Sequence, residues 1–149
     1  MPGPYRIQIN VDCRDAHAQA HWWAQTLVGW QVEPTDPDFV QSMIDQGFAT
    51  DADTQMFRGE RVWRGAAAIC PEAEAGQLDR QRIVFQEVPE PKVGKLRWHV
   101  DVITSGGDID SIRDDLVARG ARYLETNSQG PHSWHVMTDP EGNEFCVSP

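Results

Sequence analysis

Cysteine is scarce in this chain, with only Cys13, Cys70 and Cys146 among 149 residues, widely spaced and without a C-x-x-C pair. An odd count at such spacing argues against a disulfide framework and against a structural zinc knuckle, so all three are read as reduced thiols. Basic residues are also in short supply, 13 against 23 acidic ones, for a net charge of −10. That balance repels phosphate backbones and anionic membranes, and the basic residues are scattered rather than gathered into a patch. Neither a nucleic-acid nor a membrane partner is expected. No apolar run approaches the length of a membrane span, and residues 1–6 lack the basic flank and apolar core of a signal peptide, so a cytoplasmic location is expected.

What is present is patterned. The length suits one domain with a real core, or two small modules sharing one. Residues 5–12 alternate, with Tyr5, Ile7, Ile9 and Val11 on one face and Arg6, Gln8, Asn10 and Asp12 on the other, which predicts a strand packed on one side. Asp15 is the expected N-cap of a helix carrying Ala16, Ala20, Trp23 and Leu27 at helical spacing, with Gly29 at its exit. A short strand is expected over 30–33, ended by Pro34. Residues 35–64 are long for a strand connection and hold Phe39, Val40, Met43 and Ile44 at helical spacing. A loop of that length with its own short helix suggests an ordered cover over a pocket, or a helix plugging a sheet edge.

Strands are expected at 65–70 and 82–88, and the prolines and glycine of 89–94 mark a connector. The pattern of elements then repeats. Residues 97–103 alternate like the first strand. Asp108 caps a helix with Ile109, Ile112, Leu116 and Val117 as its stripe before Gly120, and strands follow near 121–126, 133–138 and 143–148. Asp139-Pro140-Glu141-Gly142 has tight-turn chemistry: Pro140 presets φ, Asp139 bonds nearby backbone, and Gly142 supplies conformational freedom.

At this hairpin the chain resembles the glyoxalase-like branch of the vicinal oxygen chelate (glyoxalase/bleomycin resistance/dioxygenase) superfamily, whose closing strands carry D-P-x-G-N. Asp139, Pro140, Gly142 and Asn143 match in place, and Trp22-Trp23 through Leu27, Gly29 and Trp30 keep the family's helix-exit pattern with Val28 as one extra residue. The resemblance implies an α+β fold of two βαβββ modules, about 5–89 and 95–149, whose curved sheets share one cup with helices outside. It also implies a homodimer.

In metal-dependent relatives the cup holds a divalent ion. Carried over by element, the ligand positions fall on Gln8, Gln86, His99 and Cys146, with Gln8 set opposite His99 and Asn10 opposite Asp101. Only His99 is a strong match; Cys146 stands where the terminal Glu is expected. Glu144 lies two residues earlier on the same face, about 6 to 7 Å along the strand. A site of His99, Glu144 and Cys146 with Gln8 and Gln86 is chemically possible for Zn, Ni, Mn or Fe, yet two neutral amides make a feeble site, so no metal is favoured. The resemblance then implies a protein that binds a small organic molecule, or a metal-independent enzyme. His99 is the candidate base, Glu144 a second candidate catalytic residue, and Gln8, Asn10, Gln86, Asp101, Trp63 and Trp134 the binding residues. The alternative is a metal-dependent lyase or isomerase.

The bland readings stand beside these. His99 is otherwise a strand histidine bonded to Asp101, Cys146 a small buried apolar residue, and most of the six tryptophans core. His17 and His21, one helical turn apart, lack the H-E-x-x-H arrangement and are expected at the surface. His132 and His135 fall on opposite strand faces and cannot converge.

Overall fold

A computed structural model describes residues 3–149 of the chain. The chain divides after Pro89 into two compact units.

The first unit begins with β1 (Ile9–Cys13), α1 (Ala16–Thr26) and β2 (Trp30–Val32). It continues through α2 (Pro37–Asp45), β3 (Thr54–Phe57), β4 (Glu60–Trp63), β5 (Ala66–Pro71) and β6 (Ile83–Glu87). Its main sheet has the order β1-β6-β5-β2, with β1 and β6 parallel and the other neighbours antiparallel. Alternation along β6 buries Ile83 and Phe85, and α1 covers that side with Ala16, Ala20, Trp22 and Trp23. The expected cap is present: Asp15 accepts from the amide of Ala18 at 2.9 Å.

Several expectations need correction. The first strand starts at Ile9, leaving Tyr5 and Ile7 exposed, because its partner β6 begins only at Ile83. Immediately before β6, the side chains of Arg80 and Arg82 both fold onto the carboxylate of Glu33. Helix α1 stops at Thr26, with Leu27 already extended, and the extra residue Val28 is exposed beside Gly29, whose φ of +86° turns the chain into β2. Within 35–64 the expected short helix is α2, capped by Asp36 with Pro37 in the first turn, but the hairpin β3–β4 was not anticipated. Its turn, Arg58-Gly59, has positive φ at both residues, the conformation a two-residue hairpin demands.

That hairpin leans on α1. His17, 4% exposed, places Nε2 2.8 Å from the carbonyl oxygen of Trp63, and the rings of His17 and His21 both pack on Phe57 at 5.2 Å. His17 is therefore a buried structural histidine, not a surface one.

The second unit repeats the plan with β7 (Val100–Ile103), α3 (Ile109–Ala118), β8 (Arg122–Gln129), β9 (His132–Thr138) and β10 (Glu144–Ser148). Its sheet order, β7-β10-β9-β8, reproduces that of the first unit strand for strand, again with the outer pair β7 and β10 parallel. Phe145, Val147, Met137 and Leu116 form its core under α3, which Asp108 caps as expected, while Val117 of the expected stripe is exposed. His135 is buried between Thr126 Oγ1 at 2.8 Å and Asp110 Oδ1 at 2.9 Å, pinning α3 to the sheet.

The β9–β10 turn follows its sequence chemistry. Asp139, 2% exposed, accepts the amides of Glu141 and Asn143 on Oδ1 and the side-chain amide of Asn143 on Oδ2. Gly142 leaves the turn at φ +91°.

Candidate functional site

Because Phe145 and Val147 point to the core, the opposite face of β10 carries Glu144, Cys146 and Ser148. The parallel register sets Cys146 beside Asp101 on β7, and His99 lies two residues before Asp101 on the same side. Together with Trp134 of β9 these side chains line a hollow of about 310 Å³: His99, Asp101, Trp134, Cys146 and Ser148. Trp134 reaches it from the neighbouring strand, half-buried.

Within the hollow, Nε2 of His99 lies 3.5 Å from Oδ1 of Asp101, longer than a good hydrogen bond and within ion-pair range. The coordinating atoms of His99, Asp101 and Cys146 all fall within 4.8 Å of one another. Burial pushes the Cys146 thiol up, and the negative charge and hydrogen-bonding carboxylate of Asp101 push it further, so the free thiol stays protonated.

Glu144 does not share this cluster. Its carboxylate takes Lys92 Nζ at 2.9 Å on one oxygen and the amide of Leu96 at 3.1 Å on the other. Burial alone would raise this carboxyl, but Lys92 and the Leu96 amide outweigh it and hold it below the ordinary glutamate range. Glu144 is thus engaged in fastening the segment before His99 to β10. The nearby carboxylate that faces the imidazole is Asp101, the partner that the structural reading of His99 gave it.

In the first unit, Gln8 donates through Nε2 to Oδ1 of Asn10 at 3.0 Å and accepts from Arg82 at 3.4 Å, and Gln86 is exposed on β6. Trp63 sits on the hairpin beside α1. The pairing corrects the element alignment between the halves. Cys146 pairs with Asp101, whereas Gln86 pairs with Asp12 and Asn10 with Val84. Matching the buried pair Val102 and Phe145 to Cys13 and Phe85 makes Asp12 the counterpart of Asp101 and Asn10 that of His99. Gln8 is therefore two residues too early. Asp12 was visible in the alternation of the first strand and went unused. The first sheet offers Asn10, Asp12 and Gln86 where the second offers His99, Asp101 and Cys146, so the imidazole and the thiol belong to the second unit alone.

Two βαβββ units of identical strand order, each with a helix on its apolar face and polar side chains on the other, define the vicinal oxygen chelate class of α+β proteins. The family model described as a glyoxalase-like domain matches residues 8–148, and the chain belongs to that family. Among solved structures, it is similar to the fosfomycin resistance protein FosX from Listeria monocytogenes, with TM-score 0.59, 8% identity, and 99% of this chain and 93% of that one covered. It is also similar to a glyoxalase/bleomycin resistance protein/dioxygenase family enzyme from Burkholderia phytofirmans PsJN, with TM-score 0.57, 13% identity, and 94% of each chain covered. A variant of the Listeria FosX, complexed with Mn(II) and dihydroxypropylphosphonic acid, matches with TM-score 0.56 and 8% identity over 95% of this chain and 86% of that one. At these identities the likeness is one of fold. No curated protein matches the chain significantly.

Proposed function

We propose that this glyoxalase-like protein binds a compact organic molecule in the hollow of its second unit, either to sequester it or to move a proton on it. The observation that carries this is the hollow itself, which puts an imidazole, a carboxylate, a thiol, a hydroxyl and an indole around one space of about 310 Å³. That volume is at the small end of ligand sites, so a compact molecule suits it better than an extended one. Trp134 offers a face for stacking. His99 is the group to accept a proton from a bound molecule, and Asp101 at 3.5 Å stabilises the imidazolium that results. The resemblance to the family supports a cytoplasmic homodimer.

A second reading is favoured by the approach of His99, Asp101 and Cys146 to within 4.8 Å: a metal-dependent lyase or isomerase. These residues, rather than Glu144, would hold the ion, and a bound ion would supply polarisation of substrate oxygens. His99 would then be a ligand and not the base.

The test of the binding reading is a screen of small planar molecules by NMR of the metal-free chain. Ligands are expected to shift the Trp134 indole and His99 ring signals, and to lose affinity in Trp134→Ala and His99→Ala. Ligands that shift only resonances away from β7, β9 and β10 would refute it.

A further inference from the structure

We infer that the β3–β4 hairpin is an acid-released flap: protonation of His21 on α1 frees the turn Arg58-Gly59 from the helix, while His17, one helical turn earlier, keeps the base of the hairpin attached. The device concerns the first unit alone and does not depend on how the hollow of the second is used.

Both histidines face one phenylalanine. Their rings lie 5.2 Å from that of Phe57, tilted by 31° and 34°, and the guanidinium of Arg58 sits over Phe57 at 5.2 Å from the ring centre. The hydrogen bonds at the two imidazoles run in opposite directions. Trp63 presents a carbonyl oxygen, so Nε2 of His17 donates to it, and a second proton on that ring leaves the bond intact. His21 instead accepts on Nδ1 from Nη1 of Arg58 at 3.3 Å. Arginine only donates, so this bond requires a neutral imidazole with its proton on Nε2. Protonating His21 removes the acceptor and sets an imidazolium against a guanidinium.

The groups that act on His21 are Arg58 of the turn, Glu60 of β4 and His17 of α1. Burial lowers its pKa most, Arg58 and His17 lower it further, and Glu60, paired with Phe57 across the hairpin, pulls the other way. The folded value therefore lies below the ordinary 6.5. The latch is fully made above that pH, weakens as pH falls below it, and is lost completely below the depressed value. Arg58 also holds a φ of +49°, a left-handed backbone that arginine rarely adopts. Asparagine or glycine fits that turn position better, so what an arginine contributes there is its guanidinium.

The test follows the full chain by NMR at about pH 7.5 and about pH 5.5, either side of the ordinary histidine range. At the higher pH, ring-to-ring cross-relaxation from Phe57 to both histidines is expected. At the lower pH the contact to His21 should be lost and that to His17 kept. Amide exchange, corrected for its own pH dependence, should rise at 57–60 and not along α1. His21→Gln keeps a neutral acceptor for Arg58 and should abolish the acid-induced rise. Arg58→Asn suits the turn but removes the cation, and should exchange alike at both pH values. A Phe57–His21 contact that persists in the parent at the lower pH would overturn the inference. So would an acid-induced rise at 57–60 that survives in either variant, and Arg58→Asn decides the matter even where His21→Gln fails to fold.

Discussion

Replacing Glu144 by glutamine separates a fastening role from a chemical one. The side chains of Glu144 and Lys92 are 17% and 19% exposed, so their 2.9 Å contact is largely shielded from solvent. Glutamine keeps an oxygen for the Leu96 amide but loses the charge that faces Lys92. One charge-assisted hydrogen bond of about 1.5–3 kcal/mol, discounted for residual solvent, gives an expected loss of about 1–2 kcal/mol. For a chain of this size that lowers Tm by about 2–8 °C.

The pH dependence has a definite sign. Because the folded-state value of Glu144 lies below the ordinary glutamate value of 4.5, its contribution is fully present above that pH and is lost as pH falls through the depressed value. The stability gap between the parent and Glu144→Gln should therefore narrow in acid below about pH 4.5. Urea unfolding across pH, followed by tryptophan fluorescence, measures both effects. The reasoning fails if Glu144→Gln is as stable as the parent yet loses ligand or cation binding, since Glu144 would then act in the hollow.

Asp139→Ala should cost about 2–4 kcal/mol, because two amides and the Asn143 side chain lose a buried acceptor; denaturant melts check it, and a loss within experimental error would contradict the turn assignment. His135→Ala should destabilise by a similar amount, about 2–4 kcal/mol, by uncoupling α3 from β8 and β9, with amide exchange rising first along α3. At neutral pH, iodoacetamide should label all three cysteines slowly. Burial pushes Cys70 up, with the charge of Glu33 adding to it, and Cys146 is raised by burial and by Asp101. Asp101→Asn should speed labelling of Cys146 alone, as read by mass spectrometry.

The repeated plan was legible because both halves announce it locally. Asp15 and Asp108 cap helices, and Asp139-Pro140-Glu141-Gly142 closes the last hairpin with the very bonds its residues are built to make. The β3–β4 hairpin escaped because its turn is Arg58-Gly59, and an arginine at positive φ is not the usual asparagine or aspartate signal. Strand alternation put His99 with Asp101 and Glu144 with Cys146 correctly. It could not tell which carboxylate remained available, since that depends on Lys92 reaching across 52 positions of sequence to Glu144. Nor could it supply the parallel register, which moves the first-unit counterpart of Asp101 from Asn10 to Asp12. Burial of His17 likewise depended on a hairpin the sequence did not reveal.

The bond from Lys92 to Glu144 also sets where the second half of the protein begins. Residues 90–96 look like a disposable linker by composition, yet they contribute the cation and the amide that hold the start of β10. A gene fragment opening at Glu90 carries its own fastening, whereas one opening at Lys95 would leave a shielded carboxylate without its counterion. The natural seam for separating or recombining the halves therefore lies at Pro89, ahead of the proline-rich stretch rather than behind it.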